Sequence, residues 1–150
     1  MPKTNSESAA IKNILEEQVA AWNNGDAEGF SRYVAADATF TNIIGMFFIG
    51  HNNFLERHKQ IINGPFRNTV LRQKLISLKF IHAQAAVVET LLQVSGCPES
   101  PLPGIYIDEQ GRLHTRLLQV MVKDLVSWKI TAYHNVDIKA GVPVPKAQGS

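Results

Sequence analysis

The sequence predicts an α+β fold: one curved, mostly antiparallel sheet packed on three helices from the N-terminal half. Three observations carry this reading. Apolar residues recur at helical spacing early in the chain and at period two later. The order is helix, helix, short hairpin, helix and then four strands, without the strand–helix–strand alternation that builds parallel sheets. The chain has 150 residues, 45% of them hydrophobic and 19% charged, so one domain can bury a core without disulfides or a structural metal.

Met1 to Ser8 is polar and reads as a flexible leader, with Ser6 or Ser8 able to cap the first helix. Ile11, Ile14, Leu15, Val19 and Trp22 then recur on one face, while Lys12, Glu16 and Glu17 face away, so Ala9 to Asn23 is an amphipathic helix. Asn23-Asn24-Gly25 ends it, because Asn and Gly accept the left-handed backbone of a helix C-terminus. Asp26 caps a second helix, Ala27 to Val34, with Phe30, Tyr33 and Val34 on one side. Asp37 comes next as a cap or turn residue. Period two begins at Thr39. Phe40, Asn42, Ile43 and Ile44 lead to a turn at Gly45, and Met46 to Ile49 return as a short strand. Gly50 opens a helix from His51 to Asn63 that Gly64-Pro65 stops. In it Phe54, Leu55, Ile61 and Ile62 stand at i, i+1, i+7 and i+8, and His58 fills the vacant i+4 place in the apolar stripe.

Val70 to Ile81 and Ala85 to Val94 are long strands joined at His82 to Gln84. Alternation puts Leu71, Leu75 and Ile81 on one face of the first, and Val70, Ile76, Leu78 and Phe80 on the other. Gly96 to Gly104 holds three prolines and is a loop. Ile105 to Ile107 is a short strand, and Asp108 to Gly111 a turn. Leu113 to Lys123 and Ser127 to Ile138 are the last strands. The expected domain is 9–140, with flexible tails at 1–8 and 141–150.

The formal net charge is +2, and no basic run interleaves with aromatics, which argues against nucleic acid. No apolar run approaches the ~20 residues that span a bilayer, so no membrane partner is expected. Nothing at the N-terminus resembles a signal peptide, and a cytoplasmic location is expected. Cys97 is the only cysteine; without an activating partner nearby it is read as structural. The five histidines form no HExxH motif and no Cys/His cluster, so no metal is expected. There is no GxGxxG, P-loop or Gly-x-Ser-x-Gly elbow, so no cofactor is implied and an α/β-hydrolase is disfavoured.

The chain resembles the NTF2-like superfamily, also called SnoaL-like or cystatin-like α+β cones, and within it the SgcJ/EcaC-type branch. The residues that carry the resemblance are Trp22-Asn23-Asn24-Gly25-Asp26, Phe40-Thr41-Asn42 with Gly45, Gly50 opening the helix that holds His58, and Trp128-Lys129-Ile130 leading into His134-Asn135. The loop Cys97 to Pro103 and Leu125-Val126 depart from the family pattern. The resemblance implies a conical sheet, a pocket between sheet and helices, and often a homodimer across the outer sheet face. It also implies scattered functions, from isomerases, dehydratases and cyclases to non-catalytic binding domains, among which fold does not choose.

Candidate site residues come from a register for the last hairpin. A three-residue turn, Asp124 to Val126, sets Val122 against Trp128, Val120 against Ile130, Leu118 against Ala132 and Arg116 against His134. On that register Arg116 and His134 face the interior together with His58, and Asn42, Phe40, Tyr33 and Trp128 are further lining candidates. His58 and His134 are the candidate catalytic acid/base groups. Arg116 could bind a carboxylate or enolate, and Asn42 could donate to an oxyanion. The bland readings are a satisfied core histidine at 58, a rim arginine, a turn-supporting Asn42 and core aromatics at Trp22 and Trp128. Glu89 is either a base or an outer-face residue, and Asp137, opposite in phase to His134, is expected to miss the pocket. The expected function is binding of a small, partly apolar carbonyl or carboxylate compound, with His-assisted isomerase, cyclase or dehydratase chemistry open. The alternative is a non-catalytic association domain that dimerises through the outer sheet face.

Overall fold

The computed structural model describes residues 2–99 and 103–143. Helix α1 (Pro2–Asn23) and the single turn α2 (Ala27–Phe30) precede β1 (Val34–Thr41), β2 (Phe47–Ile49) and α3 (His51–Ile62). Four long strands complete the chain: β3 (Val70–His82), β4 (Ala85–Ser95), β5 (Leu113–Lys123) and β6 (Trp128–Asp137). They form a six-stranded sheet with β1 and β2, in the order β2-β1-β6-β5-β4-β3. Every pairing is antiparallel except β1 with β6. The three helices cover one face of this open, mixed sheet, which is the α+β cone the sequence predicts.

Several boundaries differ from expectation, each for a local reason. Helix α1 starts at Pro2 rather than Ala9. Its first turns are held because Glu7 accepts hydrogen bonds from Lys123 Nζ (2.7 Å) and Trp128 Nε1 (2.7 Å). Helix α2 stops at Phe30, so Val34 and Asp37 lie in β1 instead of in a helix or a turn. The Ser31 hydroxyl, fully buried, donates to Ala27 O and closes that helix. Ile105 to Ile107 makes only one bridge, Ile107 to Leu113. Residues 100–102 of the proline-rich loop and 144–150 of the expected tail lie outside the described residues.

Two β-bulges decide which faces point inward. In β3 the pairing skips Ile76 (Leu75 opposes Thr90, Ser77 opposes Glu89). Leu71 and Leu75 therefore share the inner face with Leu78 and Phe80, and Ile81 faces out, which corrects the simple alternation. In β6 the pairing skips Thr131, since Met121 opposes Ile130 and Val120 opposes Ala132. An extra residue in one strand shifts every later side chain to the other face.

The core joins α1, α2 and α3 to the inner sheet face through Ile11, Phe30, Phe40, Phe54, Met121 and Ile130, all buried. A buried glutamine ladder pins α1 to the sheet. Gln18 Nε2 donates to Gln119 Oε1 (2.8 Å), Gln73 Nε2 to Gln18 Oε1 (3.0 Å) and Thr90 Oγ1 to Gln73 Oε1 (2.9 Å). Buried amides of this kind are stable only when paired. Asn23 closes the end of α1 by bonding both the N–H and the C=O of Leu71. Among the described residues, no helix is long and apolar enough to cross a membrane.

Candidate functional site

Helix α3 brings its inward stripe, Phe54, His58 and Ile62, onto the sheet, and all three are buried. The imidazole of His58 stacks on Phe54 with ring centres 4.1 Å apart. Phe30 lies 5.0 Å away, Phe40 5.2 Å and Tyr133 6.2 Å. Its Nδ1 sits 2.8 Å from the Phe54 carbonyl, to which it donates. That bond fixes the tautomer and leaves Nε2, on the far edge of the ring, as an acceptor. Burial, with a smaller push from Arg57, lowers the His58 pKa to about 4 despite the Phe54 carbonyl. The ring is neutral at neutral pH.

Beside His58 lies a cavity of about 60 Å³ between α3, the end of α1 and the inner faces of β4, β5 and β6. Its walls are mostly apolar, including Trp22, Phe40, Phe66, Leu92 and Leu113. Five polar side chains join His58 in lining it: Asn42, Arg57, Thr115, Tyr133 and Asn135. Arg57 Nε, Thr115 Oγ1 and Asn135 Oδ1 are buried polar atoms without a hydrogen-bond partner. Buried polar groups are almost always paired, so three orphans around one void mark it as unusual ground. Burial pushes the Tyr133 phenol far above its ordinary range, which keeps it protonated.

Of the candidates read from the sequence, the structure gathers His58, Phe40 and Asn42 around this cavity. Asn42 also supports the β1–β2 turn, because Oδ1 accepts from Ile44 N (3.2 Å) and Met46 N (2.9 Å). The structure does not gather the other four. Arg116 and His134 are exposed on the outer sheet face. The β5–β6 connection pairs Lys123 with Trp128 rather than Val122 with Trp128, and Arg116 opposes Val136, not His134. The expected register failed because the outer face of β5 carries an unbroken apolar run, Leu118, Val120 and Val122, while its inner face includes Thr115 and Gln119, so pattern matching alone favoured the outer face. Thr115, Tyr133 and Asn135, the immediate neighbours of the expected pair, are the residues that face the void. Tyr33 donates to Glu17 Oε2 (2.5 Å) away from the cavity. Trp128 is buried against Phe80 (5.9 Å) and bonds Glu7.

Glu89 is exposed on the outer face. Asp137 is opposite in phase to His134, so it faces inward where His134 faces out, and it does not line the cavity. It is 8% exposed, opposes Thr115, and its Oδ2 accepts from Tyr106 N and Lys139 Nζ. Sequence reasoning missed Arg57, Thr115, Tyr133 and Asn135. Arg57 had a signal, since it precedes His58 on α3; the strand residues had none without the bulge at Thr131. Among the described residues, no group of three or more His, Cys, Asp or Glu side chains is placed to hold a metal ion.

No protein-family model matches the chain, and no curated protein matches it. Solved structures match its shape. A protein with a cystatin-like fold from Nostoc punctiforme is 23% identical over 91% of this chain and 80% of its own, with a TM-score of 0.75. A candidate scytalone dehydratase from Novosphingobium aromaticivorans is 15% identical over 97% and 93%, also at 0.75. An NTF-2 like protein from Shewanella oneidensis is 19% identical over 91% and 100%, at 0.71. These likenesses establish the NTF2-like, cystatin-like cone as the fold and leave activity open.

Proposed function

We propose that the protein binds the polar end of a small, partly apolar carbonyl or carboxylate compound in the cavity beside His58, and that His58 assists proton transfer on it. The observation that carries this reading is the trio of unpaired buried atoms, on Arg57, Thr115 and Asn135, around one apolar-walled void. Convergent polar groups in an apolar hollow are what a small-molecule site requires. His58 contributes a bare Nε2. With a pKa near 4 it is a weak base alone. It gains basicity as negative charge develops on a bound oxygen nearby, and Arg57 offers that oxygen a charged donor. Proton movement between a hydroxyl or an activated C–H and His58 fits isomerase or dehydratase chemistry. The candidate scytalone dehydratase of the same fold is consistent with that class. We also assign the chain to the SgcJ/EcaC-type branch, on the residues that carry the resemblance.

A thermal-shift screen of small carbonyl and carboxylate metabolites tests this. A compound at ~100 times its dissociation constant adds about 2.7 kcal/mol. A true ligand also moves the His58 ring resonances. A stabilising compound that leaves those resonances in place binds elsewhere and refutes the reading.

A second reading, association through the outer sheet face, is favoured by Val70 (48% exposed), Ile76 (40%), Val122 (42%) and Val136 (58%), all on that face. A homodimer covering them is compatible with the inner cavity. Sedimentation of the protein and of Val136→Arg tests it: a monomer in both cases defeats the association reading.

A further inference from the structure

We infer that the ligand end entering the His58 cavity is a neutral carbonyl bearing a neighbouring hydroxyl, and not a carboxylate or a plain ketone. The inference rests on the cavity being the binding site and selects within that reading. It comes from counting donors and acceptors. Asn135 Oδ1 is an unpaired buried acceptor. His58 Nε2 is a second acceptor, because Nδ1 is spent on the Phe54 carbonyl. Each needs a partner that carries hydrogen. Arg57 Nε–H is an unpaired buried donor and needs an acceptor, and Thr115 Oγ1, on a residue 2% exposed, can serve either way.

A carboxylate offers acceptors only. It would satisfy Arg57 and could accept from the protonated Tyr133 phenol, but it brings no hydrogen for Asn135 Oδ1 or His58 Nε2, leaving both acceptors unmade. A plain ketone has the same defect, since it too carries no hydrogen to donate. A hydroxyl beside a carbonyl comes nearer the set: the carbonyl accepts from Arg57, and the hydroxyl donates to one of the two acceptors, Asn135 or His58, while accepting from Thr115, so it leaves one acceptor unmade where a carboxylate or ketone leaves two. Size agrees with an end group rather than a whole ring. The void of about 60 Å³ is well below the ~150 Å³ that takes a benzene. The rest of the ligand would leave past Ile43, Arg57 and Ile61, which are only partly buried.

The test titrates the full chain at neutral pH with hydroxyacetone, butanone and propionate, which are similar in size. Binding is followed on the Thr115 methyl and the His58 ring by NMR. Hydroxyacetone is expected to shift both and to bind at least about 10-fold more tightly than either of the others. Asn135→Leu and Thr115→Val, which remove the unpaired groups with little change of shape, are each expected to narrow that gap. Equal binding of butanone or propionate overturns this inference and leaves the cavity as the binding site. A gap unchanged in both variants also overturns it. If no probe moves either resonance, the binding-site reading falls with it.

Discussion

Acidification should destabilise this protein across a pH window set by His58. The ring is 4% exposed, and its pKa falls from 6.5 to about 4. Phe30, Phe40, Phe54 and Tyr133 pack around it, and Arg57 on the same helix is the charged group acting on it. The folded state therefore takes up the proton less readily than the unfolded chain. Stability is complete above pH 6.5, falls as pH drops through the window from 6.5 to about 4, and loses nothing further from this residue below that. The shift corresponds to about 3 kcal/mol. That is a large part of the ~5–15 kcal/mol that holds a typical domain together. Urea unfolding of wild type and His58→Phe across about pH 7.5 to 4 (roughly one transition per half unit) measures it. The Phe variant keeps an aromatic ring in the stack and loses the bond to Phe54 O, an offset that does not vary with pH. The difference between the two curves should tilt by about 3 kcal/mol in favour of the variant as pH falls. Asp108 and Glu7 act lower. Burial raises the Asp108 pKa, but hydrogen bonds from His114 and Arg112 outweigh it. The Lys123 hydrogen bond holds Glu7 down against burial. Both contributions are lost as pH falls below the ordinary carboxylate range, and they cancel in the difference. A flat difference, or a His58 ring that titrates near its ordinary 6.5 by NMR, refutes the argument.

Three further outcomes are expected. Phe54→Ala, at the centre of the aromatic cluster and 1% exposed, should cost about 3–5 kcal/mol in urea unfolding, and a cost below about 1 kcal/mol would mean α3 is held by something else. Gln119→Met should cost about 1–3 kcal/mol by stranding the Gln18 amide, and a double-mutant cycle with Gln18→Met should show coupling; strict additivity would contradict the ladder. Removing residues 1–8 should lower the urea midpoint and shift the Trp128 indole N–H resonance, because Glu7 bonds that group; an unchanged resonance would return this segment to a leader without a structural role.

Much of the fold was legible because it rests on local chemistry. Asp26 caps α2 by accepting from Gly29 N (2.9 Å), and Gly25, at φ +68°, ends α1 as the Asn-Asn-Gly run indicates. His58 was legible as an inward residue because helical spacing ties it to Phe54 and Ile62. Asn42 was legible in both roles weighed for it, as turn support and as cavity lining. The leader was misread because polar residues at a helix start carry no apolar stripe. Glu7 is held by Lys123 and Trp128, more than a hundred positions away in the chain, which local pattern does not see.

The sequence by itself determined the helical and strand segments, their order, the α+β class and the inward place of His58. Each of these depends on spacing within a few residues. Only the tertiary structure decided which strand residues surround that ring. β5 carries apolar residues on both faces, with buried Thr115 and Gln119 on the inner one, and Thr131 inserts one unpaired residue into β6, so alternation could not say which face is inner. Pairing with α1, α3 and β4 set the phase, turning Thr115, Tyr133 and Asn135 inward and Arg116 and His134 out to solvent. A period of two makes a strand's pattern easy to see and its absolute phase easy to lose, because a single extra residue inverts everything after it.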